Sequence, residues 1–465
     1  VIDGDGRKAL IPRIVVAGVE SGVGKTTVST GLMGALKAKG LRVQPYKVGP
    51  DYIDPSYHTY VTGLHSRNLD TWMMPEERLL ELFCRSAERA DVAVIEGVMG
   101  LFDGLSGTEE VGSTAQVAKI LKAPVLLVLD AWGMARSAAA VVKGFMELDR
   151  AVDIRGVILN RVSSPRHADW CREAIESSAG IPVVGAMEVQ RQIELPERHL
   201  GLIPTPEDRG VAKRIDEIIA FVKKSVDTDK IVEIAGSAPP LESPKAERPG
   251  RRGPRVRIAI AHDEAFNFYY RDALDQLEAL GAEIEFFSPI HDTELPDANG
   301  LYMGGGFPEV LSEELEQNGQ MRRHIREAIE DGMPTYAECG GLMYLTKSIR
   351  GFEGEPRTMV GVLDTETVMT KRLCLAYTSA VAIHASVLSQ PGQRVRGHEF
   401  HYSRLEGLPR DRKFAYRMER GEGISDGMDG WIVHSALATY GHTHFAAHPE
   451  LARNFIEACA RYWRK

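Results

Sequence analysis

The sequence predicts an α/β protein built of two doubly wound domains in tandem. Three observations carry this: strand-like apolar runs alternate with helical patterns from Arg13 onward, the pattern fails in a segment rich in Pro, Gly and charge, and a second α/β series begins beyond it. With 465 residues, 43% of them hydrophobic, there is material for two cores.

The first series runs RIVVAGV, a helix from Thr26 to Lys39, LRVQPYKV, ADVAVIEGVM, APVLLVLDA, IRGVILNRV and IPVVGAM, which predicts a parallel sheet with helices on both faces. A helical stretch around Asp216 to Lys224 closes it. The segment Gly236 to Arg255, GSAPPLESPKAERPGRRGPR, cannot bury a core and reads as an exposed linker. The second series is VRIAIAHD, a helix near Tyr270 to Leu280, AEIEFFS, GLYMGGG, a helix near Ser312 to Glu330, and MPTYAEC. The expected organisation is an N-terminal extension at 1–12, a first domain at 13–226, a linker at 227–254 and a second domain at 255–465.

Composition excludes several classes. No apolar run is long enough to span a bilayer, and VIDGDGRKALIPRI lacks the basic start and apolar stretch of a signal peptide, so a cytoplasmic enzyme is expected. Five scattered cysteines, Cys84, Cys171, Cys339, Cys374 and Cys459, contain no CxxC pair and argue against a disulfide framework or zinc ribbon. A net charge of −9 gives no footprint for nucleic acid, so an anionic substrate would be met by locally placed bases.

The stretch AGVESGVGKTTVSTGLMGAL, Ala17 to Leu36, follows a strand and opens a helix, the context a phosphate-binding P-loop needs. Amides around Gly22, Val23 and Gly24 and the helix start at Thr26 and Thr27 would cradle phosphate oxygens, Lys25 would reach the β and γ phosphates of ATP, and the Thr26 hydroxyl would bind Mg²⁺. Asp51 and Asp54 follow the second strand, Glu96 ends the buried run ADVAVI, and Asp103 lies beyond it. Carboxyl ends of adjacent parallel strands form one crevice, so these groups should converge on the P-loop. Hard Mg²⁺ takes a hydroxyl and one or two carboxylates, here Thr26, Asp51 or Asp54, and Glu96. A carboxylate ending a buried run is expensive unless a cation meets it. Partitioning-type ATPases usually carry a second lysine five residues before the P-loop lysine; Glu20 stands there instead.

In MPTYAECGGLMYLTK a strand ends at Cys339 and a helix begins at Gly340, an elbow that exposes a thiol where the helix dipole favours thiolate. Gly304, Gly305 and Gly306 close another strand, and amides at Gly304, Gly305 and Gly340 suit an oxyanion. Downstream, YGHTHFAAHPE supplies His442, His444 and His448 as candidate bases. His448 precedes what reads as the first turn of the last helix, whereas His442 and His444 lie on an expected strand ATYGHTHF and point to one face.

The motifs SGVGKTT, KVGPDYIDPSYHT, SRNLDTWM, VIEGVMGLFDG, AFNFYY, GGGFPE, YAECGGLMYL and RGHEFHYS together resemble the cobyrinic acid a,c-diamide synthase family. The resemblance runs from Arg13 to about Arg461 and implies a dethiobiotin-synthetase-like, P-loop NTPase-type ATP domain followed by a class I type, flavodoxin-like glutamine amidotransferase domain. The five residues between Gly18 and Gly24 fit the longer P-loop shared by dethiobiotin synthetase and its relatives. The resemblance implies Cys339 as nucleophile and, two residues after the tyrosine, His442 as its base. It implies that Asp51, Asp54, Glu96 and Asp103 serve ATP and phosphorylated-intermediate chemistry, and that Tyr52 and Ile53 lie where the family meets its tetrapyrrole. Lys47 and Arg67 are candidate cations for a substrate bearing many carboxylates. Implied substrates are ATP, L-glutamine and cobyrinic acid, with nickel-sirohydrochlorin and hydrogenobyrinic acid as alternatives and a regulatory ATPase or glutaminase as a more distant one. RGHEFHYS carries His398 and His401, to which neither the residues nor the resemblance gives a role. A homodimer is compatible with the sequence.

Overall fold

The computed structural model describes residues 8–190, 209–242, 244, 254–352 and 354–463. The chain divides into two compact units, Val1–Glu247 and Arg248–Lys465.

In the first unit seven strands form one sheet in the order Arg67–Leu69, Val43–Val48, Val92–Glu96, Arg13–Gly18, Val125–Asp130, Ile154–Val162, Val183–Glu188. Every pairing in it is parallel. A parallel sheet is covered on both faces, which is why its strands read as continuous apolar runs. The core joins Ile14 and Val16 of the central strand to Val28 and Leu32 of helix Lys25–Ala38 and to Ile218 and Val222 of helix Arg209–Ser225.

The expected linker begins too early. Thr228–Gly236 is a helix, capped by the Asp227 carboxylate on the Lys230 amide, and it buries Ile231, Ile234 and Ala235 against the first core. Its apolar residues recur at helical spacing, so this stretch has a face to bury that the proline-rich part lacks. The strand Leu241–Glu242 then pairs antiparallel with Lys8–Ala9, which ties part of the N-terminal extension into the same unit. Residues 243 and 245–253 of the expected linker lie outside the described residues.

Arg13 fastens this join. It is fully buried, and its guanidinium donates to the carbonyls of Leu121 (2.5 Å), Ile11 (2.8 Å), Lys122 (3.2 Å) and Pro239 (2.6 Å). Burial lowers its pKa to about 10, so it stays charged at neutral pH. Arg13→Ala strands these carbonyls and opens a cavity, and a loss on the order of 3 kcal/mol is expected in urea unfolding.

In the second unit five strands are parallel, in the order Ala282–Phe287, Val256–Ala261, Gly300–Met303, Thr335–Glu338, Ala436–Thr439. The doubly wound expectation covers this part. The sheet then continues antiparallel through Met428–Val433, Lys413–Arg420 and the twenty-residue strand Leu363–Ala382, which pairs with Arg394–Glu406. This antiparallel extension carries the RGHEFHYS motif alongside the nucleophile elbow.

Candidate active site

The parallel register of the first sheet builds one crevice. Lys47 stands opposite Glu96 on one side, and Val16, two residues before the P-loop's first glycine, on the other. The P-loop ends in left-handed glycines, Gly22 (φ 78°) and Gly24 (φ 94°). At Gly24 a Cβ would also lie 2.5 Å from Asn160 Nδ2, which itself donates to the Val23 carbonyl at 2.8 Å, so a side chain there is excluded twice. Lys25 folds back to donate to the Glu20 carbonyl at 3.0 Å. Burial, then the charge of Lys47, lowers its pKa to about 8. Thr27 follows Thr26 in the first turn of the helix.

Glu96 is the hub. Its Oε1 accepts from the Thr26 hydroxyl (2.8 Å) and the Lys47 ammonium (2.7 Å), and its Oε2 faces His58 Nε2 at 2.7 Å. Burial alone would raise this carboxyl, but Lys47 and His58 outweigh it and hold it well below the usual carboxylate range. Asp54 Oδ2 lies 2.5 Å from Lys47 and 3.4 Å from Thr26. Burial and the neighbouring Asp51 charge push its pKa up.

Thr26, Asp54 and Glu96 come together, and the charge of Asp51 lies close enough to raise the Asp54 pKa. Asp51 Oδ1 accepts the Ile53 and Asp54 amides at 2.8 and 3.3 Å and opens helix Ile53–Thr62. An acid two residues before a helix caps free N–H groups. Lys47, offered as a cation for substrate, is buried between two carboxylates. Tyr52 is half-buried, Ile53 packs on the core, and Asp103 closes its own loop by accepting the Gly100 amide at 2.9 Å.

In the second unit Cys339 sits between strand Thr335–Glu338 and helix Gly340–Leu345 with φ 47° and ψ −96°. Such a conformation costs a side-chain-bearing residue of order 1–3 kcal/mol and is retained where it aims a group. His442 hydrogen-bonds the Cys339 thiol, and its Nδ1 faces Glu338 Oε2 at 3.6 Å. A Cβ at Gly305 would lie 2.6 Å from His442 Cε1, so the glycine turn is what lets the imidazole in.

The three histidines separate by environment. His444 is fully buried and stacks on Tyr270 with ring centroids 4.7 Å apart. His448 stands before helix Pro449–Trp463, with Nδ1 3.5 Å from Glu450 and Nε2 accepting the Arg396 amide at 3.3 Å. The expected strand ATYGHTHF is broken: Ala436–Thr439 ends, the Asp429 carboxylate takes the Tyr440 and Gly441 amides at 3.0 Å each, and His442–Thr443 pairs with Arg394–Glu406 instead. Alternation therefore does not hold across the turn. The oxyanion set is also revised, because the Gly304 amide donates to the Tyr269 hydroxyl at 2.8 Å. Gly305 pairs with Phe268, and Gly340 follows the thiol directly.

Glu338 belongs to this site; it lies inside the YAECGGLMYL motif, from which only Cys339 and Gly340 drew a role. It is 1% exposed and accepts from Tyr336 (2.5 Å) and Tyr302 (3.0 Å) hydroxyls and the Thr443 amide (2.9 Å). A signal for it is present: like Glu96, it is a carboxylate closing a buried strand.

Burial alone would lower the His442 pKa, but its hydrogen bond with Cys339 and the Glu338 carboxylate 3.6 Å away outweigh this and push it up to about 10. The ring is thus set up as a proton donor at neutral pH. We expect kcat/KM for glutamine hydrolysis to fall as pH rises through about 10. A profile that instead climbs near the free-imidazole value of about 6.5 would make the neutral ring the active form.

Family models match both parts of the chain. The CobQ/CobB/MinD/ParA nucleotide binding domain model matches residues 14–203, and the CobB/CobQ-like glutamine amidotransferase domain model matches residues 257–450. The two together define an enzyme of the carbon–nitrogen ligase class with glutamine as amido donor. Cobyrinate a,c-diamide synthase of Methanosarcina acetivorans is 45% identical over 477 residues, spanning 97% of this chain and 96% of that one. The protein of that name from Caldanaerobacter subterraneus is 45% identical over 453 residues, spanning 97% and 99%. The chain belongs to the cobyrinic acid a,c-diamide synthase family. Among the described residues no helix is long and apolar enough to cross a membrane.

Proposed function

We propose that this enzyme amidates the a and c side-chain carboxylates of cobyrinic acid, on the way to cobalamin, with ATP and glutamine as co-substrates. The observation that carries this is the 45% identity, over 97% of the chain, to proteins named for that reaction. A carboxylate is a poor electrophile, so the γ-phosphoryl of ATP passes to it and forms an acyl phosphate. Amides of Gly22 to Thr27 hold the phosphates, and Lys25 leaves the Glu20 carbonyl for them. The all-oxygen set of Thr26, Asp54 and Glu96 suits a hard cation, and these residues would hold Mg²⁺. Such an ion supplies neutralisation of charge on the transferred phosphoryl group. Asp51 and Asp103 shape the two loops around that centre, and the family resemblance assigns Tyr52 and Ile53 to the tetrapyrrole.

In the other unit Cys339 attacks the glutamine side-chain amide, His442 gives its proton to the departing ammonia, and water hydrolyses the thioester to glutamate. Gly305 and Gly340 flank the thiol where an oxyanion forms. Ammonia displaces phosphate from the acyl phosphate and leaves the amide. The test is incubation with ATP, glutamine and, separately, cobyrinic acid, hydrogenobyrinic acid and nickel-sirohydrochlorin, with products weighed by mass spectrometry. Diamide from cobyrinic acid is expected; diamide from nickel-sirohydrochlorin alone would transfer the reading to that substrate.

A further inference from the structure

The RGHEFHYS motif holds two histidines and a glutamate that the amidation chemistry leaves without a task. His398 packs on the site already described, with its ring 4.8 Å from that of His442. Glu399 and His401 do something else. In the antiparallel ladder Cys374 stands directly across from His401, and Glu399 lies two positions along the same strand, on the same face. All three are buried, and a ligand atom of each, thiol, carboxylate and imidazole, lies within 4.8 Å of the other two.

The imidazole is set up as a ligand. His401 Nδ1 donates to the Ser403 carbonyl at 2.8 Å, which leaves the ring's lone pair on Nε2. That nitrogen is buried and has no hydrogen-bond partner among the described residues. A ring nitrogen oriented by a backbone carbonyl behind it is the usual arrangement of metal-binding histidines. Tyr440 stacks on the ring at 3.9 Å and fixes its plane. Glu399 is fully buried, and its two oxygens accept the Glu422 and Gly423 amides at 2.6 and 3.0 Å. Each oxygen retains a lone pair. Arg372, a charged residue near this face, is exposed and pairs with Glu422.

We infer that Cys374, Glu399 and His401 form a binding site for a divalent transition metal of the zinc class, separate from the Mg²⁺ and thiol centres. One thiolate, one imidazole and one carboxylate are a zinc ligand set, with a fourth position for water, whereas Mg²⁺ disfavours sulfur. Metal–ligand bonds of about 2.0–2.3 Å in a tetrahedron place ligands roughly 3.3–3.8 Å apart, so the cluster closes by side-chain shifts of about 1 Å. The thiol proton goes to solvent as the metal–sulfur bond forms, and binding therefore strengthens with pH. The site would clamp the ribbon of Leu363–Ala382 and Arg394–Glu406 beside Phe400, whose carbonyl lies 3.7 Å from Cys339 Sγ.

The full-length chain, stripped with chelator and kept reduced, is titrated with Co²⁺. Expected are one equivalent per chain, a thiolate-to-metal charge-transfer band, displacement by Zn²⁺, and a melting temperature that climbs with metal concentration. Cys374→Ser and Cys374→Ala should each abolish the band, His401→Gln should weaken binding at least ~10-fold, and Cys339→Ala should leave the band in place. Circular dichroism identifies the folded variants, and either Cys374 variant suffices. Two results would overturn the assignment: no stoichiometric binding by the folded chain, or a band lost in Cys339→Ala and kept in the Cys374 variants.

Discussion

Glu96→Gln is expected to lower amide formation by about 10³-fold with glutamine or with added ammonia, because it removes the charge on which three side chains converge. Lys47, Thr26 and His58 all bond to this fully buried carboxylate. The amide is nearly isosteric. Its oxygen can keep Lys47 and Thr26, and its NH₂ can meet His58 if that ring moves its proton to Nδ1, where Ser66 Oγ lies at 3.4 Å. The fold therefore has a route to tolerate the change, and the loss falls on chemistry. With Glu96 neutral, the set of Thr26, Asp54 and position 96 carries one anionic ligand, and Lys47 then competes for it with any divalent ion. Basal glutamine hydrolysis, carried out by other residues, is expected to continue. Rates of diamide formation by mass spectrometry, with circular dichroism as a folding control, decide the matter. Turnover above about a tenth of the parent's would reduce Glu96 to a packing role.

The contrast between Glu96 and Asp51 shows what the sequence could disclose. Lys25, Thr26 and Cys339 sit in short local motifs whose geometry follows from a strand, a turn and a helix start, so spacing alone positions them. Asp51 and Asp54 are three residues apart and the same residue type, and only the helix opening at Ile53 decides which caps and which faces Thr26. The histidines met the same limit. Their facing depended on whether a strand ran through Gly441, and the break is made by Asp429, eleven and twelve residues upstream of the amides it holds. The parallel cores were legible because buried strands are apolar on both faces. The antiparallel ribbon was not, because its inward positions include Thr365 and Thr367 as well as Leu363 and Met369, which blurs the apolar alternation. The early linker boundary has a similar cause: Ile231, Ile234 and Ala235 belong to a short helix beside a proline-rich segment whose composition dominates the window.

Glu338→Gln is expected to lower glutamine-dependent amidation by roughly 10⁴-fold while amidation with added ammonia is retained, the size of loss seen when the carboxylate behind a catalytic imidazole is removed. Glu338 is a positioning residue, acting through His442 Nδ1 at 3.6 Å. Two tyrosine hydroxyls and the Thr443 amide hold its oxygens, and Thr443 follows His442 directly, so the same carboxylate fixes both the ring and the strand that carries it. A purely structural role and a charge role predict different pH behaviour. His442 has its pKa pushed up to about 10 in part by the Glu338 carboxylate. Removing that negative charge weakens the protonated ring, so the descending limb of glutamine hydrolysis should move to lower pH, and Glu338→Asp, which keeps the charge on a shorter arm, should restore part of the shift. A limb that stays near about 10 in Glu338→Gln, or a matching loss of ammonia-dependent turnover, would show that Glu338 supports the sheet and not the imidazolium.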